Sequence, residues 1–359
     1  MIKINSIKKI GYGFGYGYQD NKNAHYGKKH FSSLCYAINL GSNFIDTARE
    51  YGNGLSEKLI GSLDSKKKNN IFISTKVSPQ NLKFNLFIDS VLSSLEALKT
   101  KKIDLIQPHW PSDKYDYNEI LQAFLYLKSK RLVRYFGLSN FSIKSAEYFK
   151  KKIPNYFKFM QDRYIPGDST SESKINFCKK NNLFFVIYSP FHFFDLRKRH
   201  IIKLMKKNNF DHTNYHQLLL KYQLIQYNKV ILIPRSYNQE NIKNNINSQN
   251  IHSSQVDLPN LKKILTFHQT FVPIKDIKIF KGKNYIQNFS DLKNNHKRKF
   301  LNLTPVDLAK NIKKNKSKEI TSILLKKVGK KFYLKEGQAR YWASYICFGK
   351  NYKIKSIIL

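Results

Sequence analysis

Two hydrophobic rhythms alternate along the first 270 residues. Short apolar runs, four to six residues long, fall at Asn43–Asp46, 71–76, 103–107, Val133–Gly137, Phe157–Gln161, Leu183–Tyr188 and Val230–Ile233. Between them, apolar residues recur every three or four positions, over Phe31–Leu40, Leu55–Ser62, Leu82–Lys99, 117–130, 142–152, 171–181, His216–Tyr227 and Asn238–Asn245. Continuous runs predict strands buried on both faces, and the longer period predicts helices with one apolar side. Asn43–Asp46 is read as the first strand, and an eighth, weaker one is expected near Asn250–Ser253, before a helix over Leu258–Phe267. Strands alternating with helices imply a parallel sheet. Eight such units in roughly 250 residues make the expected fold class α/β, a closed (β/α)8 TIM barrel.

The rhythm changes near Val272. Residues 275–300 are basic and weakly patterned. Thr304-Pro305-Val306-Asp307 then reads as a helix start, with Thr304 as cap, Pro305 in the first turn and an acidic residue close behind. A helix over 305–314, strands over Thr321–Lys327 and Lys331–Lys335, a helix over 338–348 and a strand over Tyr352–Ile358 predict a small C-terminal α+β domain. The expected division is a barrel over 1–268, a linker over 269–275 and the small domain over 276–359. Near the N-terminus, glycine alternates with aromatic residues from Ile10 to Gly17. A short hairpin or an extended loop is expected there. No Gly-Lys-Ser/Thr follows, so a P-loop is absent.

Composition adds a compartment. Hydrophobic residues are 41% of the chain, enough for a large core, and no apolar run reaches the length of a membrane span. The N-terminus lacks a signal-peptide core. Cys35, Cys178 and Cys347 are odd in number and far apart, which argues against a disulfide framework or a cysteine zinc site and for a cytoplasmic setting. The formal net charge is +40. Lysine drift in a Lys-, Asn- and Ile-rich composition accounts for much of that, and net charge bears on partners, not on fold. Residues 271–359 hold 22 Lys and Arg against 5 Asp and Glu, so any preference for a polyanion belongs to that end.

Four polar residues stand at or just after the ends of three successive apolar runs: Asp46, Tyr51, Lys76 and His109. The C-terminal ends of barrel strands are where such folds keep reactive groups. A tyrosine with an ordinary pKa of about 10 needs help to act as an acid near neutrality. A lysine cation would lower that value, a carboxylate would hold the lysine, and a histidine would orient a substrate carbonyl. Each residue alone is equally an ordinary strand-end polar group. Four on one face make a site.

Residues 5–268 resemble the aldo-keto reductases, NAD(P)H-dependent carbonyl reductases built on a (β/α)8 barrel. The resemblance rests on Ala37–Gly41, Asp46-Thr47-Ala48, Tyr51-Gly52, Ser56-Glu57 and Gly61. It implies that Asp46, Tyr51, Lys76 and His109 are the catalytic tetrad, with Tyr51 as general acid. It implies that Ser139, Asn140 and Gln161 hold the nicotinamide carboxamide and that Tyr188, followed by Ser189, stacks on the ring. Arg235, Ser236 and Asn245 would bind the adenosine phosphate end. Arg235 stands where the family usually has Lys, Asn241 where many members have Arg, Asn244 where Glu is common, and Phe14 where a small hydroxyl residue is common. Because Arg binds phosphate well, NADP is the expected cofactor, with NAD as the alternative. The aromatic run Phe191-His192-Phe193-Phe194 is read either as a substrate-stacking loop or as a cover over the barrel.

Residues 276–359 resemble the ParB/sulfiredoxin-type domain, through Gly337, Arg340 and Ala343 of a G-x-x-R-x-x-A turn. The resemblance implies a phosphate site at the helix start, with Gly337 and Arg340 as its residues. Gln338 and Ala339 replace the usual acidic and basic residues, and no cysteine lies in the turn, which argues against sulfiredoxin activity. A packing or oligomerisation module is the other reading.

The function expected from the sequence is NAD(P)H-dependent reduction of an aldehyde or ketone to an alcohol. The substrate would be a small carbonyl compound, with a sugar or an anionic, nucleotide-linked sugar as the narrower expectation. The alternative is a regulatory protein that binds nucleotide or nucleic acid and uses the barrel as an NAD(P) sensor. No helix-turn-helix supports DNA binding.

Overall fold

Eight parallel strands pair in sequence order, from β1 (Tyr12–Gly13) through β2 (Phe44–Asp46), β3 (Phe72–Val77), β4 (Ile103–Pro108), β5 (Val133–Ser139), β6 (Phe157–Asp162) and β7 (Phe184–Tyr188) to β8 (Val230–Ile233). The computed structural model describes residues 2–15, 24–112, 115–192, 194–207, 214–252, 257–279, 304–314, 320 and 322–358. Tyr16-Gly17, Phe193, Ser253 and residues 280–300, on which parts of the sequence reading fall, lie outside the described residues.

The sheet curls until its two edges meet. Ile10 bridges Leu232, the Gly11 N–H donates to the Leu232 carbonyl at 2.8 Å, and the Leu232 N–H donates to the Lys9 carbonyl at 2.8 Å. The eighth barrel strand is thus the N-terminal segment and not Asn250–Ser253. Asn43–Asp46 contains the second strand, not the first. Ser248–Asn250 forms a 3-10 turn, since Ser-Gln-Asn offers no apolar face to a barrel. The glycines of the Ile10–Gly15 stretch explain why that segment fits. A side chain on Gly11 would lie 2.6 Å from the Phe44 carbonyl oxygen, and one on Gly13 would lie 2.7 Å from that of Ile233. Close backbone approach therefore requires glycine at both positions.

Helices follow the strands: α1 (Ala24–Asn39), α2 (Leu55–Gly61), α3 (Ser65–Asn69), α4 (Phe84–Ala97), α5 (Tyr117–Ser129), α6 (Ile143–Lys152), α7 (Ser169–Asn181), α8 (Lys198–Lys207), α9 (Tyr215–Leu224), α10 (Gln239–Asn247) and α11 (Leu258–Leu265). Their ends are set by side chains. Ser142 accepts from the Ser145 N–H to cap α6, and Asn214 and Gln217 form a reciprocal capping box at α9. α4 buries Phe87, Ser90, Val91, Ser94 and Leu95, spaced as one helical stripe. α8 occupies the basic segment that the sequence pattern leaves unassigned. Only Ile201 and Met205, one turn apart, give it a buried side.

Side chains alternate along a strand, so residues two apart share a face. The pairs Phe44 with Asp46, Phe72 with Ser74 and Lys76, Leu105 with Gln107, Tyr135 with Gly137 and Ser139, and Phe159 with Gln161 therefore each lie on one face of their strand. Phe44, Phe72, Leu105, Phe159, Val186, Ile231 and Ile233 pack together as one apolar cluster, with Tyr135, Phe184 and Tyr188 against it. Phe44 and Phe72 stack at 5.5 Å between centroids, and Phe159 and Phe184 at 5.0 Å. Two residues further along these strands, towards their C-terminal ends, the same face turns polar at Asp46, Ser74, Gln107 and Gln161.

The chain divides into two compact units. The first holds Met1–Pro111, Tyr115–Tyr164 and Ile175–Leu265, and the second holds Ser112–Lys114, Ile165–Lys174 and Thr266–Leu359. The second contains a five-stranded mixed sheet in the order β10-β12-β11-β13-β9, with β9 at Gln269–Pro273, β10 at Ile277–Ile279, β11 at Ile323–Val328, β12 at Lys331–Glu336 and β13 at Lys353–Ile358. Residues 269–275, expected as a linker, instead supply β9, which runs antiparallel to β13. Val272 and Ile274 drive this: both are buried in the core with Ile323, Leu325, Leu334, Trp342 and Ile354. Helix α12 (Pro305–Lys314) begins as the sequence indicates. The Thr304 hydroxyl accepts from the Asp307 N–H at 3.1 Å, and the Asp307 carboxylate accepts from the Thr304 N–H at 2.9 Å. It packs on α13 (Gln338–Phe348) through Ala309, Ile312 and Ala343, and the Cys347 thiol donates to the Ala309 carbonyl.

Candidate active site

Asp46 closes β2, Lys76 stands near the end of β3, and His109 follows β4 directly, so three neighbouring parallel strands deliver them to one end of the barrel. Tyr51 lies on the loop after β2. The Lys76 ammonium donates to Asp46 Oδ2 at 2.6 Å and to the Thr47 carbonyl at 2.8 Å, and its Nζ sits 5.7 Å from the centre of the Tyr51 ring. Tyr51 Oη is 3.5 Å from His109 Nε2, and the two rings meet edge to face at 5.5 Å. The four residues named from the sequence are therefore one cluster. Asp46, Lys76 and His109 are buried, at 3%, 1% and 6% exposure.

Burial governs the protonation of this cluster. It pushes the Tyr51 hydroxyl well above its ordinary value of 10.0, and the Asp46, Glu50 and Tyr188 groups add to the rise while Arg235 opposes it. The expectation that Lys76 brings the Tyr51 pKa down is thus not met. Asp46 neutralises the Lys76 charge at close range, so desolvation wins at the phenol. Burial likewise lowers Lys76, against the pull of Asp46 and Glu50, and lowers His109, against its hydrogen bond to Glu50. Tyr51 consequently holds its proton at neutral pH.

A buried amide network supports Asp46. Ser74 Oγ donates to Asp46 Oδ1 at 2.9 Å and Gln161 Nε2 donates to Asp46 Oδ2 at 3.2 Å. Gln107 Nε2 donates to Gln161 Oε1 at 2.7 Å and to Ser74 Oγ at 3.2 Å. The donors form a ring that ends on one carboxylate and fixes its orientation. Sequence reasoning does not single out Ser74 and Gln107. The signal that marks them is the two-residue step from Phe72 and Leu105.

The residues expected around a nicotinamide also gather here. Asn140 Nδ2 donates to Ser139 Oγ at 3.0 Å and to the His109 carbonyl at 3.1 Å, and Asn140 Oδ1 accepts from the Tyr188 hydroxyl at 2.6 Å. Asn140 and Ser189 both adopt left-handed backbone, with φ of 66° and 49°. Such conformations in non-glycine residues cluster at functional sites. After β8, the Arg235 guanidinium donates to the Gly15 carbonyl and lies 5.1 Å from the centre of the Tyr237 ring. The Ser236 hydroxyl accepts from the Asn238 N–H at 3.1 Å, and its carbonyl accepts from Tyr12 Oη at 2.7 Å. Asn245 is buried within α10. Phe14 meets His30 edge to face at 5.6 Å.

One neighbour of the cluster does not stand out in the sequence. Glu50, immediately before Tyr51, places Oε2 2.8 Å from His109 Nδ1. In the second unit, Gly337 takes left-handed backbone (φ 96°) to start α13, and Arg340 donates to the Ser322 carbonyl at 2.6 Å and faces Glu336 at 3.8 Å.

Comparison with known proteins places this geometry. The family model for the aldo/keto reductase family matches residues 9–266. The chain belongs to the aldo/keto reductase family. It is an oxidoreductase that interconverts carbonyl compounds and alcohols. Among aldo/keto reductase relatives, methylglyoxal reductase DkgB of Escherichia coli O157:H7 is 27% identical over 245 residues, 65% of this chain and 85% of that protein. Methylglyoxal reductase YeaE of Escherichia coli K12 is 26% identical over 263 residues, 72% of this chain and 91% of that protein. The solved structure of the thermostable aldo-keto reductase Tm1743, with the inhibitor epalrestat, aligns at TM-score 0.63 and 27% identity, covering 72% of this chain and 95% of that one. An aldo-keto reductase from Klebsiella pneumoniae, solved with NADPH, shares the fold at TM-score 0.64 and 21% identity over 72% of this chain and 91% of that one.

Proposed function

We propose that the barrel reduces a small aldehyde or ketone with NADP(H) as cofactor and that Tyr51 delivers the proton. The observation that carries this reading is the clustering of Tyr51, His109, Lys76 and Asp46 at one end of the barrel.

The residues present fit a nicotinamide dinucleotide. A carboxamide needs a donor and acceptor facing it. Ser139 still has its own O–H to donate and Gln161 a second N–H, after the bonds they make to Asn140, Gln107 and Asp46. Tyr188 supplies an aromatic face, and Arg235 with Ser236 supplies the cation and hydroxyl that suit a phosphate. Asn245, buried in α10, is proposed as a third member of this set. When bound, the reduced cofactor supplies the hydride.

The chain's own residues handle the proton. Tyr51 Oη offers its hydrogen to the carbonyl oxygen, and the negative charge that builds there is stabilised by that bond. Lys76 lies close to the same ring and fixes its surroundings, held in turn by Asp46. Asp46 keeps its place through Ser74 and Gln161. Lys76 is held at two points, by Asp46 Oδ2 and by the Thr47 carbonyl.

Two relatives carry the name methylglyoxal reductase, so a small 2-oxoaldehyde belongs in the first substrate panel, with sugars and nucleotide-linked sugars beside it. For residues 276–359 the proposal is a ParB/sulfiredoxin-like module with a phosphate site at Gly337 and Arg340. The left-handed Gly337 at the head of α13 supports it. Arg340 already serves the Ser322 carbonyl, so a phosphate would share that guanidinium. The proposed setting is cytoplasmic; among the described residues no helix is long and apolar enough to cross a membrane. Oxidation of NADPH by purified protein, followed against this panel, tests the reading. Turnover with at least one carbonyl is the expected result, and NADPH binding without turnover across the panel is the contrary one.

A further inference from the structure

Within the site, one carboxylate has no part in the tetrad. Glu50 sits on the loop between Asp46 and Tyr51, and its side chain is 19% exposed against 8% for His109. Its Oε2 lies 2.8 Å from His109 Nδ1, while His109 Nε2 lies 3.5 Å from Tyr51 Oη. The three groups form a line: carboxylate, imidazole, phenol.

An ionised carboxylate only accepts hydrogen bonds, so at 2.8 Å the atom facing it must be a protonated nitrogen. In neutral imidazole one nitrogen donates and the other accepts. Glu50 therefore decides which is which. We propose that Glu50 is a positioning residue that pins the proton of His109 on Nδ1, leaving Nε2 as the ring atom that gains and loses a proton opposite Tyr51.

The consequence separates two states of the site. With the ring neutral, Nε2 is a bare acceptor. It can take a hydrogen bond from Tyr51 but cannot donate one to a carbonyl oxygen. With the ring protonated, Nε2–H faces the mouth as a donor, and a carbonyl oxygen can lie between it and Tyr51 Oη. A histidine without such a partner can meet a carbonyl as the neutral Nε2–H tautomer. This one needs a second proton to do so. The inference rests on the reductase reading for its role in turnover, but the proton's position is a property of the protein alone.

The groups facing His109 can be named. Glu50 and Tyr51 come from the loop after β2, Asp46 from β2, Lys76 from β3, and the Trp110 ring lies 6.1 Å away at a tilt. Burial lowers the His109 pKa, the hydrogen bond to Glu50 raises it, Lys76 lowers it, and the charges of Glu50 and Asp46 raise it. Removing the carboxylate takes away the strongest of the supports. The second protonation must then move to lower pH.

The test is a nitrogen-15 NMR titration of the histidine rings in the full-length protein, with His109→Gln used to assign the His109 signals among the ten histidines. In the unaltered protein the neutral ring should carry its proton on Nδ1, and Nε2 should titrate. In Glu50→Gln that titration should move to lower pH, and Glu50→Asp, which keeps the charge, should restore part of the difference. In steady-state reduction, the fall of kcat/KM with rising pH should shift in the same direction in Glu50→Gln. Because the NMR readout needs no substrate, a protein that reduces no carbonyl would count against the reductase reading alone. A neutral His109 protonated on Nε2, or a Glu50→Gln protein whose His109 titrates where the unaltered one does, would overturn the proposal.

Discussion

Lys76 and Asp46 form a buried ion pair at 2.6 Å, with both side chains 4% exposed or less. A pair this deep is held by its hydrogen bonds as much as by its charges. Asp46 accepts from Ser74, Gln161 and Lys76, and Lys76 also donates to the Thr47 carbonyl. Removing one partner leaves the other charge uncompensated in a low-dielectric site, a loss of about 3–5 kcal/mol. Asp46→Asn should therefore lower unfolding stability markedly in a urea titration. Lys76→Met in the same background should recover part of that loss, giving a non-additive double-mutant cycle. Additive effects would show that the pair is not coupled.

Gly11 and Gly13 are where the barrel closes. A methyl group at either meets a carbonyl oxygen, of Phe44 at 2.6 Å or of Ile233 at 2.7 Å. Backbone must shift to admit it, and overpacking of this kind costs about 1–3 kcal/mol. Gly13→Ala should lower the thermal midpoint clearly, whereas Gly27→Ala, with open space around the same position, should not.

The stability of the unliganded protein should also depend on pH through His109. Its pKa is lowered in the fold from an ordinary 6.5, because burial disfavours the charged ring. Between the two values the unfolded chain binds more protons than the native one, so stability rises with pH across that window. The contribution is complete above about 6.5 and is lost as pH falls below it. His109→Gln should flatten this part of the stability curve. An unchanged slope would mean that another group titrates there.

Much of this site is legible in the amino-acid pattern. Asp46, Tyr51, Lys76 and His109 can be picked out because each stands at or just beyond the end of an apolar run, and a parallel barrel brings all such ends to one face. Seven strands are legible for the same reason. The remaining one is not, because Tyr12–Gly13 is two residues long and its glycines hide the apolar signal that Ile10 and Leu232 complete across the seam. Gln107 and Ser74 sit inside runs that read only as strand, and nothing but their inward step relative to Leu105 and Phe72 sets them apart. Glu50 lies in the open beside Tyr51. What gives it meaning is His109, 59 residues away, and no local pattern links the two. Residues 269–275 look like a linker because Pro273 and Lys275 interrupt the run. Val272 and Ile274 nonetheless find a core through pairing with β13.

Tyr51, on this account, supplies the proton for carbonyl reduction. Tyr51→Phe removes one oxygen and keeps the ring, its packing on His109 and the Lys76–Asp46 pair. The decisive measurement sets NADPH oxidation with a reactive aldehyde beside NADPH binding in the same preparation. A positioned acid contributes roughly 10²–10⁴-fold, so kcat should fall by at least that range while the NADPH dissociation constant stays within about threefold. Turnover by Tyr51→Phe at a rate near that of the unaltered protein would contradict the account.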